Sequence, residues 1–288
     1  MAAVVFLGDC TTTTALAVAA TWPCDRAPAC TVVECDPSGG SLAAWLDLTP
    51  TPSLSNAVTA VRHDVSNHGA PGATSGRGAA DVVAPMLRRS RAGVRVLVAP
   101  ALQREARSAV DEADRALLAL LGRRAELALV DAGRHDVGRP HPAVGHASLV
   151  VLVHRQQAAS PRAAAVRLER TAESAAELRD RGAVTALMVI GEEPFDSSEI
   201  HDFVGTDHGP LVLPDDPLAS SVLAGRGGVS TKRMARLPLM RAAAQVSDEL
   251  LRWLGDEPTD GASSHVGPGA NRDRSRRVPS TSTSEASP

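Results

Sequence analysis

The sequence predicts an α/β protein: a doubly wound, mostly parallel sheet with helices on both faces. Three observations carry this. Short β-branched runs alternate with longer helical patterns along most of the 288 residues. Most runs are joined to the next by helices, the crossover connection that parallel strands require. Finally, 43% of the chain is hydrophobic but only 2% aromatic, with no Tyr, so a sizeable core must be built from Ala, Val and Leu.

The elements follow in order. Ala2 to Leu7 reads as a buried strand and Thr12 to Trp22 as a helix opening on threonines suited to N-capping. Ala29 to Glu34 is a second strand, closed by the turn residues Asp36-Pro37-Ser38-Gly39-Gly40. Short helices are predicted over Ser41 to Leu46 and Ser53 to Arg62, then a mobile surface loop over residues 63–78. A helix around Ala80 to Arg89, the strand Val94 to Val98, the helix Ser108 to Leu121 and the strand Leu127 to Val130 come next. Beyond them lie the strand Leu149 to Val153, a long helix Pro161 to Arg181 and the strand Val184 to Ile190. A helix at Ser197 to Val204, a strand at Leu211 to Leu213 and helices at Pro217 to Ala224 and Met234 to Leu254 complete the pattern. Residues 1–255 show no composition shift or repeat and read as one domain; residues 256–288 are rich in Pro, Ser, Thr and Arg without apolar spacing and read as a disordered tail.

Composition narrows the function. A net charge of -3 with few aromatics disfavours a base-stacking reader of single-stranded nucleic acid. No apolar run approaches the ~20 residues of a membrane span, and Met1 to Leu7 lacks a basic flank, which disfavours a signal peptide and points to a cytoplasmic protein. Cys10, Cys24, Cys30 and Cys35 include no C-x-x-C pair, so reduced thiols are expected instead of a disulfide or metal site. The histidines have no metal-binding spacing and read as dispersed surface or capping residues; the absence of G-x-S-x-G removes the usual α/β-hydrolase reading.

In doubly wound sheets ligands bind beyond the carboxyl ends of the strands. Three such ends are polar: Gly8-Asp9-Cys10-Thr11-Thr12-Thr13-Thr14, Glu34-Cys35-Asp36-Pro37 and Asp131-Ala132-Gly133-Arg134. A turn that could cradle an anion, a Thr hydroxyl and two carboxylates are the parts of a magnesium-nucleotide site. With T-T-T-A-L, D-P-x-G-G and V-D-A-G in this order, residues 2–254 resemble the MinD/ParA family of deviant P-loop ATPases. Val94 to Pro100 and the acidic, Leu-rich helix after it are most similar to the pilus-assembly branch, the CpaE/TadZ-like proteins. Gly191 to Phe195 and Leu213 to Pro217 resemble segments of actinobacterial MinD-like proteins.

The resemblance implies a P-loop NTPase fold, ATP and magnesium as cofactors, a homodimer formed across the nucleotide site, and protein partners in a localised assembly. Position by position, Gly8, Asp9, Cys10, Thr11, Thr12 and Thr13 fall on the phosphate loop. Thr12 matches the hydroxyl that touches magnesium, Asp131 the carboxylate that holds its water shell, and Asp36 the switch carboxylate that orients the attacking water; Glu34 takes that motif's other acidic position. Structural alternatives stand beside these: Thr12 as a helix N-cap and Asp36 as the start of an Asp-Pro turn. Cys10 and Cys35 end strands one and two and could share the cleft.

The first loop departs from G-x-x-x-x-G-K-[ST]. Only Asp9 and Cys10 separate Gly8 from the Thr run, Thr11 stands where the lysine should be, and Lys232 is the chain's one lysine. Arg134 could lend a compensating charge, or be an ordinary solvated loop arginine. The expected function is therefore a non-hydrolysing, degenerate MinD/ParA-like protein that positions a pilus, secretion, septum or chromosome assembly. An active ATPase with a rewired loop is the alternative. A Rossmann-type enzyme, with Glu34 holding a ribose, is a third, against which the missing G-x-G-x-x-G speaks. Arg272, Arg274, Arg276 and Arg277 in the tail could touch DNA or anionic lipid, although the Ser/Thr-rich flank suits solvated disorder. A membrane-targeting C-terminal helix is not evident.

Overall fold

The computed structural model describes residues 3–68, 79–121, 127–156, 160–226 and 230–255. The eight strands are β1 (Ala3–Gly8), β2 (Cys30–Glu34), β3 (Arg88–Arg89), β4 (Arg95–Leu97), β5 (Leu127–Asp131), β6 (Leu149–Arg155), β7 (Thr185–Ile190) and β8 (His208–Leu213). They form one sheet in the order β3-β4-β2-β5-β1-β6-β7-β8, parallel except where β3 runs against β4. Central β1 pairs with β5 through Phe6 and Asp131 and with β6 through Gly8 and Val153, so the carboxyl ends of β1, β5 and β6 meet at one edge.

Alternation along β1 sends Val4 and Phe6 to one core and Val5 and Leu7 to the other, all fully buried. The first core is covered by α1 (Thr11–Thr21), α2 (Leu42–Trp45), α8 (Pro217–Leu223) and α10 (Pro238–Gly255), through residues such as Leu16, Leu42, Val222 and Leu250. The second is covered by α3 (Leu54–His68), α5 (Gln103–Leu121), α6 (Pro161–Asp180) and α7 (Ser197–Val204), through Leu54, Val110, Leu178 and Ile200. Helices on both faces make the sheet doubly wound. Small side chains let α1 lie close to α10, where Ser247 Oγ donates to Val18 O at 3.2 Å.

Local chemistry sets the helix ends. Ser160 caps α6 by accepting from Ala163 N at 3.2 Å, and Pro161 fills the first turn, where no N–H is needed. Asp196 and Glu199 form a capping box on α7, and Gly205 at φ 68 ends that helix.

Several expectations change. Helix α3 continues through His68, so residues 63–68 are helical, not loop; residues 69–78 lie outside the described residues, as does the expected tail at 256–288. The predicted helix at Ala80 to Arg89 is a short α4 (Ala79–Val83), a 3-10 turn at Ala84–Met86 and the edge strand β3. The last predicted helix, Met234 to Leu254, begins instead at Pro238 as α10, and a short α9 (Thr231–Met234) precedes it. No described helix is long and apolar enough to cross a membrane.

Candidate functional site

The three polar strand ends predicted to converge do so at the carboxyl edge of β1, β2 and β5. The loop after β1 is tight. Gly8 has φ 124, and a Cβ there would sit 2.2 Å from the Val153 carbonyl oxygen, so only glycine lets β1 pass so near β6. Gly8 N donates to Gly133 O and Asp9 N to Val153 O, both at 2.9 Å. Cys10 then turns the chain in a left-handed conformation, φ 55 and ψ 27, directly into α1. No side chain caps α1. The predicted capping role of Thr12 is therefore overturned: its hydroxyl donates to Asp131 Oδ2 at 2.6 Å instead. Thr11, at the position of the expected lysine, is buried, and Thr13 is half-buried.

Asp131 is 1% exposed. Burial raises its pKa against the hydrogen bonds from Thr11 and Thr12, and the Asp36 charge adds to the rise. Asp36 accepts from Ser38 N at 2.7 Å, an Asx turn, and its carboxyl group lies directly against the face of Gly133. Glu34 does something the sequence did not reveal. Its Oε1 accepts from Ser41 N at 2.6 Å and Leu42 N at 2.8 Å, while Oε2 accepts from Ala99 N at 2.8 Å. The side chain ties β2 to the start of α2 and the end of β4. Desolvation outweighs these three donors and raises its pKa to about 7. A carboxylate buried and occupied in this way has no face for a ribose, which removes the Rossmann-type assignment.

The cysteines divide: Cys10 is exposed and Cys35 buried. Full burial raises the pKa of Cys35, and partial desolvation of its thiol raises that of Cys10 against the charge of Arg155 beside it. Arg155, at the end of β6, donates through Nε to Asp215 at 3.1 Å. Among the described residues no group of three His, Cys, Asp or Glu side chains could hold a metal ion. His141 is a capping residue, accepting from Ala143 N at 3.1 Å, but His154 is buried, not a surface histidine.

Arginines gather on the α6 side of the first loop. Arg134 is 82% exposed and Arg167 33%, and a nitrogen of each lies 4.0 Å from a different Asp9 oxygen. Sequence reasoning missed Arg167, whose place in a helix gives no sign that it reaches the β1 loop.

The fit to magnesium and a triphosphate divides in two. Thr12 and Asp131 form the hydroxyl-carboxylate pair that suits a metal's water shell. The anion-binding half is weak, since no lysine stands in the loop and the N–H groups of Gly8 and Asp9 are spent on backbone carbonyls.

The fold is that of the MinD and ParA ATPases. The septum site-determining protein MinD of Pyrococcus horikoshii, complexed with Mg-ADP, matches with a TM-score of 0.61 and 15% identity, over 88% of this chain and 97% of that one. A ParA family ATPase from Chlorobium tepidum matches at 0.61 with 12% identity, over 86% and 98%. Cobyrinic acid a,c-diamide synthase from Mycobacterium smegmatis, with an ATP analogue and magnesium, matches at 0.56 with 17% identity, over 89% and 96%. No protein-family model matches the sequence, and no curated relative does.

Proposed function

We propose that this chain is a degenerate MinD/ParA-like protein that acts by binding, not by nucleotide turnover, and marks a cellular site for a macromolecular assembly. One observation carries this reading: Thr11 replaces the phosphate-loop lysine in a loop whose Gly8 and Asp9 N–H groups already serve Gly133 and Val153. Losing a desolvated charge-assisted contact of this kind costs ~2–5 kcal/mol, or ~30-fold to several thousandfold in affinity or rate. Arg134 supplies little in compensation, being mostly solvated.

In this reading residues 1–255 are the working domain, in the cytoplasm. The CpaE/TadZ-like pilus-assembly role is the assignment that residues 94–121 support, with a homodimer that does not wait for ATP. Thr12 and Asp131 would hold magnesium if a nucleotide bound, with Gly8, Asp9, Cys10, Thr13 and Arg134 around it, and Asp36 is a vestigial switch held in its Asx turn. The surface formed by Asp36 to Gly40 stays fixed and open to a protein partner.

The septum protein and the diamide synthase share this fold, so fold alone does not choose between positioning and catalysis. Purified protein with Mg-ATP tests the choice. The reading expects no stoichiometric hydrolysis and no thermal stabilisation. Turnover that disappears in Asp131→Ala would establish the active ATPase instead. A fluorescent fusion should also keep its cellular position in Asp131→Asn, which removes a metal-holding carboxylate and leaves the Asp36 to Gly40 surface intact.

A further inference from the structure

A second anion site lies behind the first loop. A pocket of about 200 Å³ opens between the β1 and β6 ends and α6, lined by Asp9, Arg134, His135, Arg167, Arg170 and Thr171. It faces the α6 side of the sheet, whereas the helix that a nucleotide's phosphates would approach, α1, lies on the other. The first loop separates the two.

Three guanidinium groups face one carboxylate here. Asp9 lies between Arg134 and Arg167 but at 4.0 Å from each, beyond a good hydrogen bond. Arg170 is exposed and, among the described residues, meets no carboxylate. The pocket is thus left with surplus positive charge. Two buried nitrogens are also unpartnered: Arg167 Nη1 and His135 Nδ1. The His135 side chain is 3% exposed, and its other nitrogen is fixed by Glu177 Oε2 at 3.1 Å. Glu177 also accepts from Gly138 N at 3.0 Å, which pins the turn carrying Arg134 and His135 to α6. Unpaired buried polar groups are costly, so the side chains that carry them gain by turning towards a ligand oxygen.

We infer that this pocket binds a phosphate group, as inorganic phosphate or a small phosphomonoester. Arginine forks match phosphate oxygens in pairs. His135 Nδ1 can share a single proton with a phosphate oxygen, since phosphate stays partly protonated near neutral pH. Size limits the ligand, because the pocket is smaller than the ~300 Å³ at which drug-sized sites begin. The phosphate group is the part of a ligand that the pocket would enclose. Asp9 occupies part of the same positive potential and competes with the ligand.

The test is a titration of the full-length, nucleotide-free protein with sodium phosphate, ribose 5-phosphate, or sodium chloride at matched ionic strength, followed by melting temperature and calorimetry. Phosphate is expected to raise the melting temperature saturably, with a Kd of ~1 mM or tighter, and chloride to leave it unchanged. Arg167→Gln and Arg170→Gln should each weaken binding ~10-fold, and Asp9→Asn should tighten it by a similar factor. Arg170 is exposed, so its replacement reads out even if the Arg167 variant folds poorly. Ribose 5-phosphate binding as well as phosphate identifies a phosphomonoester ligand; phosphate alone identifies the free ion. Equal shifts with phosphate and chloride, or affinity unchanged in Arg170→Gln and Asp9→Asn, overturn the inference. None of these readouts depends on ATP, so the result is separable from the fate of the turnover question.

Discussion

Glu34 is where single-residue chemistry has the largest consequence for the fold. Its carboxyl joins three backbone segments yet is 1% exposed, and its pKa is raised from 4.5 to about 7. The folded state therefore holds a proton that the unfolded chain has released. Stability from this group is full below about 4.5 and is lost as pH rises through about 7, a change of about 3 kcal/mol. Asp131 is shifted in the same direction and adds to the slope. Urea denaturation across pH 5 to 8 should show stability declining with pH, and Glu34→Gln should flatten that decline while lowering stability at pH 5, because an amide leaves one of the three N–H donors without an acceptor. Gly8 has the opposite kind of role, defined by space. Gly8→Ala forces a Cβ against the Val153 carbonyl at a positive φ and should cost at least ~3 kcal/mol, measured as a lowered denaturation midpoint.

Asp216 shows what a cap does for an element and for its neighbour. It accepts from Ala219 N at 2.9 Å to start α8 and from Leu239 N at 3.4 Å at the start of α10. Asp216→Ala should cost ~1–2 kcal/mol, about twice the ~1 kcal/mol expected for Asp196→Ala, whose cap serves α7 alone; thermal denaturation of the two variants compares them. Most elements were legible in the sequence because buried parallel strands leave unbroken Val and Leu runs and crossover helices leave capping residues such as Ser160 and Asp196. What escaped had no such signal. Edge strand β3 is two arginines, with no apolar period to read. Helix α3 runs on through polar residues, where composition suggests a loop. The polar strand ends were found from strand position alone, but the contacts that define them were not. Neither the turn of Thr12 towards Asp131 nor the three donors around Glu34 follows from local sequence, since each joins residues that only the folded sheet brings together.

Across the whole molecule, the MinD/ParA-type sheet presents the carboxylates of Asp36 and Asp131 at its carboxyl edge beside a first loop that has no lysine. The proposed loss of turnover rests on that imbalance. It should persist when magnesium is varied, because the missing element is an ammonium group for the phosphates and not a ligand for the metal. Equilibrium calorimetry of the full-length protein with Mg-ATP is the most direct measurement. Absence of saturable heat up to ~1 mM nucleotide is the predicted result. Stoichiometric binding at micromolar concentration, lost in Asp131→Ala, would contradict the account.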